Sequence, residues 1–269
     1  MLDGPTYENL VKHFWVRAEI YEKYAAKAEE DHMVLLNPNL KGKSRAEIGL
    51  KEFKRTEICS SIMGILVTIS EEVIGRACRR EVEGAFQWSL NKKTSEWIPV
   101  VKKTLFKGKK DGKYIDMEKE HKVLQKLMHE CFLPKGGGVD HLSLEHKVFL
   151  HFLISYEKVN LPSYIFHHML WDLRESQERN RSFVPYGRLL FEIFHQGGML
   201  IALKTSKAIT DSQLGTMVGK NINGTTLFNM HLIKEVDKKD TDLQESWILS
   251  NMIDDSHPPP PPNLQTRSS

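Results

Sequence analysis

Cysteine is scarce, with three in 269 residues, at Cys59, Cys78 and Cys131. No two of them form a C-x-x-C pair, and an odd count cannot close a complete disulfide framework. Reduced thiols in a cytoplasmic or nuclear protein are the simplest expectation. Long apolar runs are lacking as well. The stretch from Ile62 to Ile69 is among the longest, far below the roughly 20 residues that span a bilayer. The opening MLDGPTYENL carries an acid at Asp3 and no apolar segment of the secretory kind, so neither secretion nor membrane insertion is expected. The sequons at Asn180-Arg181-Ser182 and Asn223-Gly224-Thr225 then carry no glycosylation.

Strong charge of one sign is also missing. The formal net charge is +3 and the isoelectric point about 8.6, so a case for nucleic acid has to rest on a local patch. What is present is ordinary for a globular chain: 40% hydrophobic and 27% charged residues, enough length to bury a core without metals or disulfides.

Patterning along the chain favours helix. Tyr7, Leu10, Val11, Phe14 and Trp15 recur at i, i+3, i+4, i+7 and i+8, one helical face. Glu19 to Asp31, with Ala25, Ala26 and Ala28, has high helix propensity, and Asn37-Pro38-Asn39 stops it. Ile65, Val67 and Ile69 alternate as in a short strand. Ser70 then suits the N-cap of a helix over 71–80, with Glu71 and Glu72 in its first turn and Arg79-Arg80 in its last. Lys92 to Lys113, with Pro99, Gly108 and Gly112, shows no clear period and reads as a long surface connection. Further helices are expected from Asp116, Ser143, Asn160-Leu161-Pro162 and Pro185, the last stopping at Gly197-Gly198, with a shorter piece over 199–204.

The expected fold is therefore mainly α, a multi-helix globular domain with one or two short strands. Its parts are an N-terminal helical lobe over 5–90 with a strand near 65–69, a Lys-rich connection over 91–113, a C-terminal helical lobe over 114–235 and a polar, Pro-rich, largely disordered tail over 236–269. Pro258 to Pro262 favour a polyproline II stretch there.

Three stretches carry a family likeness together. They are Met63-Gly64-Ile65 running into Thr68-Ile69-Ser70-Glu71-Glu72-Val73-Ile74; Cys131-Phe132-Leu133-Pro134 followed by Asn160-Leu161-Pro162 and His167-His168-Met169; and Pro185-Tyr186-Gly187-Arg188-Leu189-Leu190, through Ile193-Phe194 and Gly197-Gly198, to Gly219-Lys220 and Thr226-Leu227. Their order and spacing resemble the plant transposon protein domain, found in reading frames derived from plant transposable elements. The resemblance covers roughly Tyr7 to Ile233 and leaves the stretch from Glu19 to Asp31 unmatched. It implies an element-derived origin and brings no catalytic residues with it.

The enzymes of mobile elements each need a signature that this chain does not show. There is no Tyr-x-Asp-Asp turn, and Asp254-Asp255 is the single Asp-Asp pair. Asp211-Ser212-Gln213 departs from the Asp-Ser/Thr-Gly of an aspartic protease. Gly215 to Lys220 has the wrong spacing for a phosphate loop, with Asn221 in place of the hydroxyl residue. No G-x-S-x-G elbow occurs. A transposase or nuclease remnant with three dispersed carboxylates stays open as an alternative, because such acids lie far apart in sequence.

Eight histidines, His121, His129, His141, His146, His151, His167, His168 and His195, gather in the later helices. His141, His146 and His151 step by five residues, turning about 140° each time, so they share no helix face. Surface or helix-end positions are expected for them, with no metal and no cofactor. Cys131 and His129, two apart, point to different sides, and a core thiol is expected at Cys131.

The positive signal is a lysine cluster: Lys92, Lys93, Lys102, Lys103, Lys107, Lys109, Lys110 and Lys113, offset only by Glu96 and Asp111, with Trp97 and Phe106 interspersed. Lys102, Lys103, Lys107, Lys109, Lys110 and Lys113 are the candidate nucleic-acid contacts, with the aromatics available to stack on bases. Arginine is absent from the run, so only non-specific backbone contact or nuclear import is in reach. The leading expectation is a non-catalytic, intracellular interaction or self-association module with protein partners or itself. Non-specific nucleic-acid binding through the lysines is the alternative.

Overall fold

A computed structural model describes residues 5–106, 114–134, 142–178 and 185–216, together with residue 228. The described residues up to 216 belong to one compact unit, and a second begins at Gly219. Among the described residues, nine α-helices, a three-stranded sheet and a two-stranded pair make the unit mainly helical. The tail over 236–269 and its prolines lie outside the described residues.

The chain enters through β1 (Pro5–Thr6) into α1 (Glu8–Val16), which buries Leu10, Val11 and Phe14 as the spacing predicts. The helix expected from Glu19 instead starts with a strand, β2 (Glu19–Tyr21), and α2 (Lys23–Leu36) follows. Pairing overrides propensity here, because Ile20 lies opposite Ile58 on β3 (Glu57–Ile62). A Met63-Gly64 turn, with both residues at positive φ, carries the chain from β3 into β4 (Ile65–Ile69). The sheet order is β2-β3-β4, all antiparallel, with one strand more than the sequence suggested. β3 alternates Ile58, Ser60 and Ile62 inward against Glu57, Cys59 and Ser61, a pattern too polar to read as a strand alone.

Ser70 caps α3 (Glu71–Cys78), its hydroxyl accepting from the Val73 amide at 3.5 Å. A loop then brings Ala85 beside Val159, with the Ala85 amide donating to the Lys158 carbonyl at 2.7 Å. Gly84 permits this approach. It has a φ of +113°, and any side chain there would collide with that carbonyl.

The segment expected as a surface connection contains a helix, α4 (Trp97–Phe106). Val101, Leu105 and Phe106 are buried in it, an apolar stripe interrupted by Lys102 and Lys103. Pro99 is tolerated because it falls in the first turn. α4 packs on α6 (Leu144–Ile154), whose N-cap is Ser143. α5 (Lys119–Leu127) runs into a π-helical turn over Met128–Phe132, closed by the Leu133 amide on the Met128 carbonyl at 2.7 Å.

At the centre lies α7 (Leu161–Glu178), opened by Asn160 accepting from the Ser163 amide at 3.2 Å. Tyr164, Ile165, Phe166, Met169, Leu170 and Leu173 are all buried in it. α8 (Gly187–Gln196) and α9 (Met199–Thr205) follow, separated by Gly197-Gly198 as expected. α3 packs against α7 and α8, and α1 against β3 and α8, so one core joins sheet and helices. The chain closes on itself where β5 (Gly215–Thr216) pairs antiparallel with β1, and the Tyr7 hydroxyl donates to Asp211 at 3.1 Å.

Candidate functional site

Of the six lysines expected to touch nucleic acid, Lys102 and Lys103 lie on α4, the first half-buried and the second exposed. Lys107, Lys109, Lys110 and Lys113 fall outside the described residues. The aromatics interspersed with them do not stand ready to stack on bases. Trp97 sits edge-on against Phe152 with ring centres 5.2 Å apart, and Phe106 is only 2% exposed, with the Lys147 ammonium 5.4 Å from its ring centre. Phe106 is thus spent on the core, while Trp97 is half-buried.

Three of the histidines expected at surfaces or helix ends are buried: His129, His146 and His168. They come from the π turn, α6 and α7 and form a row, with ring centres 5.3 Å and 5.6 Å apart. Chain spacing could not show this row, because each member comes from a different element. His141 lies outside the described residues, and His151 faces away to Thr104 at 3.0 Å.

Each ring in the row is held by a bond with a structural role. His129 Nδ1 lies 3.3 Å from the Leu133 carbonyl, so it carries the ring proton. His146 Nδ1 is 2.9 Å from the Ser143 hydroxyl that also caps its helix. His168 Nδ1 lies 2.8 Å from the Tyr186 hydroxyl and 3.3 Å from Asp172. Burial, then the nearby Asp172 and Cys78, push the Tyr186 phenol well above its usual range. Tyr186 therefore keeps its proton, and the direction of its bond to His168 follows the imidazole tautomer. His168 Nε2 is buried without a hydrogen-bond partner among the described residues. No group of three or more His, Cys, Asp or Glu among the described residues is arranged to hold a metal ion.

The other reactive types are similarly placed. Burial pushes the thiols of Cys59, Cys78 and Cys131 up, so each is a protonated thiol rather than an activated thiolate. Ser163 donates to Glu71 at 2.7 Å, and His167 lies 3.5 Å from the same carboxylate.

Among the described residues, α2 exposes three large apolar side chains on one short helix. Of its 14 residues only Ala26 is buried. Tyr24, Ala28 and Leu35 fall at i, i+4 and i+11 on one outward face that also carries the exposed Asp31, with Leu36 to its side. Tyr24 is 85% exposed, Leu35 79% and Leu36 68%. Such a helix needs another anchor, and Arg45 supplies it. Its guanidinium donates to the Ala26 carbonyl, to Glu30 at 3.2 Å, to Glu29 at 2.6 Å, to the Tyr21 hydroxyl at 2.7 Å and to the Lys51 carbonyl at 2.8 Å. The fork geometry of arginine suits this convergence, since one planar group fixes α2, β2 and the following loop at once. The charge on Arg45 in turn holds the Glu29 carboxyl below its usual range.

The fold and these sites define a mainly helical chain with an exposed, charge-pinned helix. No family model matches it, and neither a curated protein nor a solved structure matches it. No described helix is long and apolar enough to cross a membrane.

Proposed function

We propose that this chain is a non-catalytic interaction module of plant transposable-element origin that self-associates through the outward face of α2. The observation that carries the proposal is the combination at α2: a helix fixed in place by Arg45 while Tyr24, Leu35 and Leu36 face solvent. Fully burying one such apolar side chain stabilises a contact by about 1.5–3 kcal/mol. A two-fold contact between copies uses the same patch twice and doubles the buried set. Side chains with catalytic chemistry support the non-catalytic part, because Tyr186, His168, Ser143, His146, Ser163 and Glu71 are engaged with one another in the fold. The order of motifs from Met63 to Leu227 supports the origin.

Size-exclusion chromatography with light scattering tests the reading. The expected result is a dimer at tens of micromolar that becomes a monomer when Leu35 and Leu36 are both changed to Glu, with helical content unchanged. A monomeric parent, or a dimer indifferent to those changes, rules the α2 face out.

A further inference from the structure

The end of α3 carries a second exposed feature, of opposite character. Arg76, Arg79 and Arg80 are exposed and line one shallow depression open to solvent, with Gly75 and Val82 as its floor. Two acids also line it, and both are taken by cations from elsewhere. Glu72 pairs with Arg55, and Glu81 with Lys158 at 3.2 Å. None of the three arginines makes an ion pair among the described residues. Lys158 also pairs with Glu83, so Glu81 is only partly matched, and the depression presents three guanidinium charges outside any ion pair beside it.

The backbone holds this arrangement at some cost. α3 ends with the Arg79 amide donating to the Arg76 carbonyl at 3.1 Å and the Arg80 amide to the Gly75 carbonyl at 2.8 Å. This closure puts Arg79 at a φ of +54°, the left-handed conformation that helices usually give to glycine. A side chain at position 75 would meet the Arg80 carbonyl at 2.7 Å, so Gly75 lets the turn fold over the helix end. Basic residues at a helix C-terminus favour the helix dipole in any case. That effect does not explain an arginine at the one position where its backbone is disfavoured.

We infer that this depression binds the phosphate backbone of a polynucleotide, without reading its bases. A guanidinium fork matches the paired oxygens of a phosphodiester. An open, shallow surface suits a polymer passing across it better than an enclosed small ligand. Gly75 and Val82 add no hydrogen-bonding side chain to the arginines, and an open surface does not enclose a base, so the contact is chiefly with phosphate. This site is separate from the lysines of α4 and does not depend on the α2 face.

Fluorescence anisotropy of a labelled oligothymidylate, titrated with the full chain over a range of salt, tests it. Arg79→Gly is the informative variant, because it removes a guanidinium and relieves the left-handed strain together. Affinity is expected to fall roughly fivefold at about 0.1 M salt, with the slope of log K against log salt flattened by about 0.7, while Tm rises. The triple variant Arg76→Gln, Arg79→Gly, Arg80→Gln loses correspondingly more. The inference is overturned by absence of binding, by affinity unchanged in the triple variant, by loss only when Lys102 and Lys103 are changed to Gln, or by equally tight binding of polyglutamate, which would indicate an acidic protein partner.

Discussion

α2 and α7 are held in place by opposite means. α7 buries most of its described side chains, with Tyr164 and Met169 wholly enclosed, and is held mainly by non-directional apolar contact. α2 buries Ala26 alone and is located by the directional bonds of one arginine. A helix fixed by burial has used its apolar face to fold. A helix fixed by a guanidinium keeps that face for something else, at the cost of depending on a few groups.

That contrast can be broken experimentally, most sharply at the core. Met169→Ala is expected to destabilise the whole unit by about 2–5 kcal/mol, since a fully buried side chain leaves a cavity that the surroundings only partly fill. Urea unfolding followed by circular dichroism measures this, and a shift under 1 kcal/mol would mean that α7 is less central than its burial indicates. Arg45→Ala should act locally. Amides of α2 are expected to exchange on the order of tenfold faster, as hydrogen bonds to a charged group are lost, while those of α7 keep their protection. Equal acceleration in both helices would erase the distinction.

The smallest effect sharpens the comparison, because α7 also has polar tethers, among them the one to Glu71. His167, then the Ser163 hydroxyl, hold the Glu71 carboxyl below its ordinary value of 4.5, against the opposing pull of burial. A depressed carboxyl stabilises the fold fully above that ordinary value, and the contribution is lost as pH falls through the lower folded value. Glu71→Gln should therefore cost about 1 kcal/mol near neutral pH, with the difference from the parent shrinking below about pH 4. A difference that stays constant through acid would assign the loss to packing instead.

Much of the helical framework was legible in sequence because its signals are local. Ser70, Ser143 and Asn160 cap where their side chains predict, and Gly197-Gly198 separates α8 from α9. β3 was not legible, since its identity depends on Ile58 meeting Ile20 and Ile69 from distant positions. α4 was missed because Pro99 and the lysines that flank and interrupt it masked the spacing of its three buried residues. The α2 face was half visible: high helix propensity showed a helix, but Arg45 gave no sign that it would gather five acceptors from three segments. The arginines of α3 looked like ordinary helix-end charges, and only the structure shows that Glu72 and Glu81 are paired elsewhere. The histidine row was invisible for the same reason as β3.

The pairing of Pro5 with Thr216 and of Thr6 with Gly215 has a topological consequence. The polypeptide leaves the compact unit beside the place where it enters, so the unit is nearly a closed ring. A module of that kind can be spliced into the middle of a longer polyprotein without prising its host apart, because the two junctions need be only one strand-width apart.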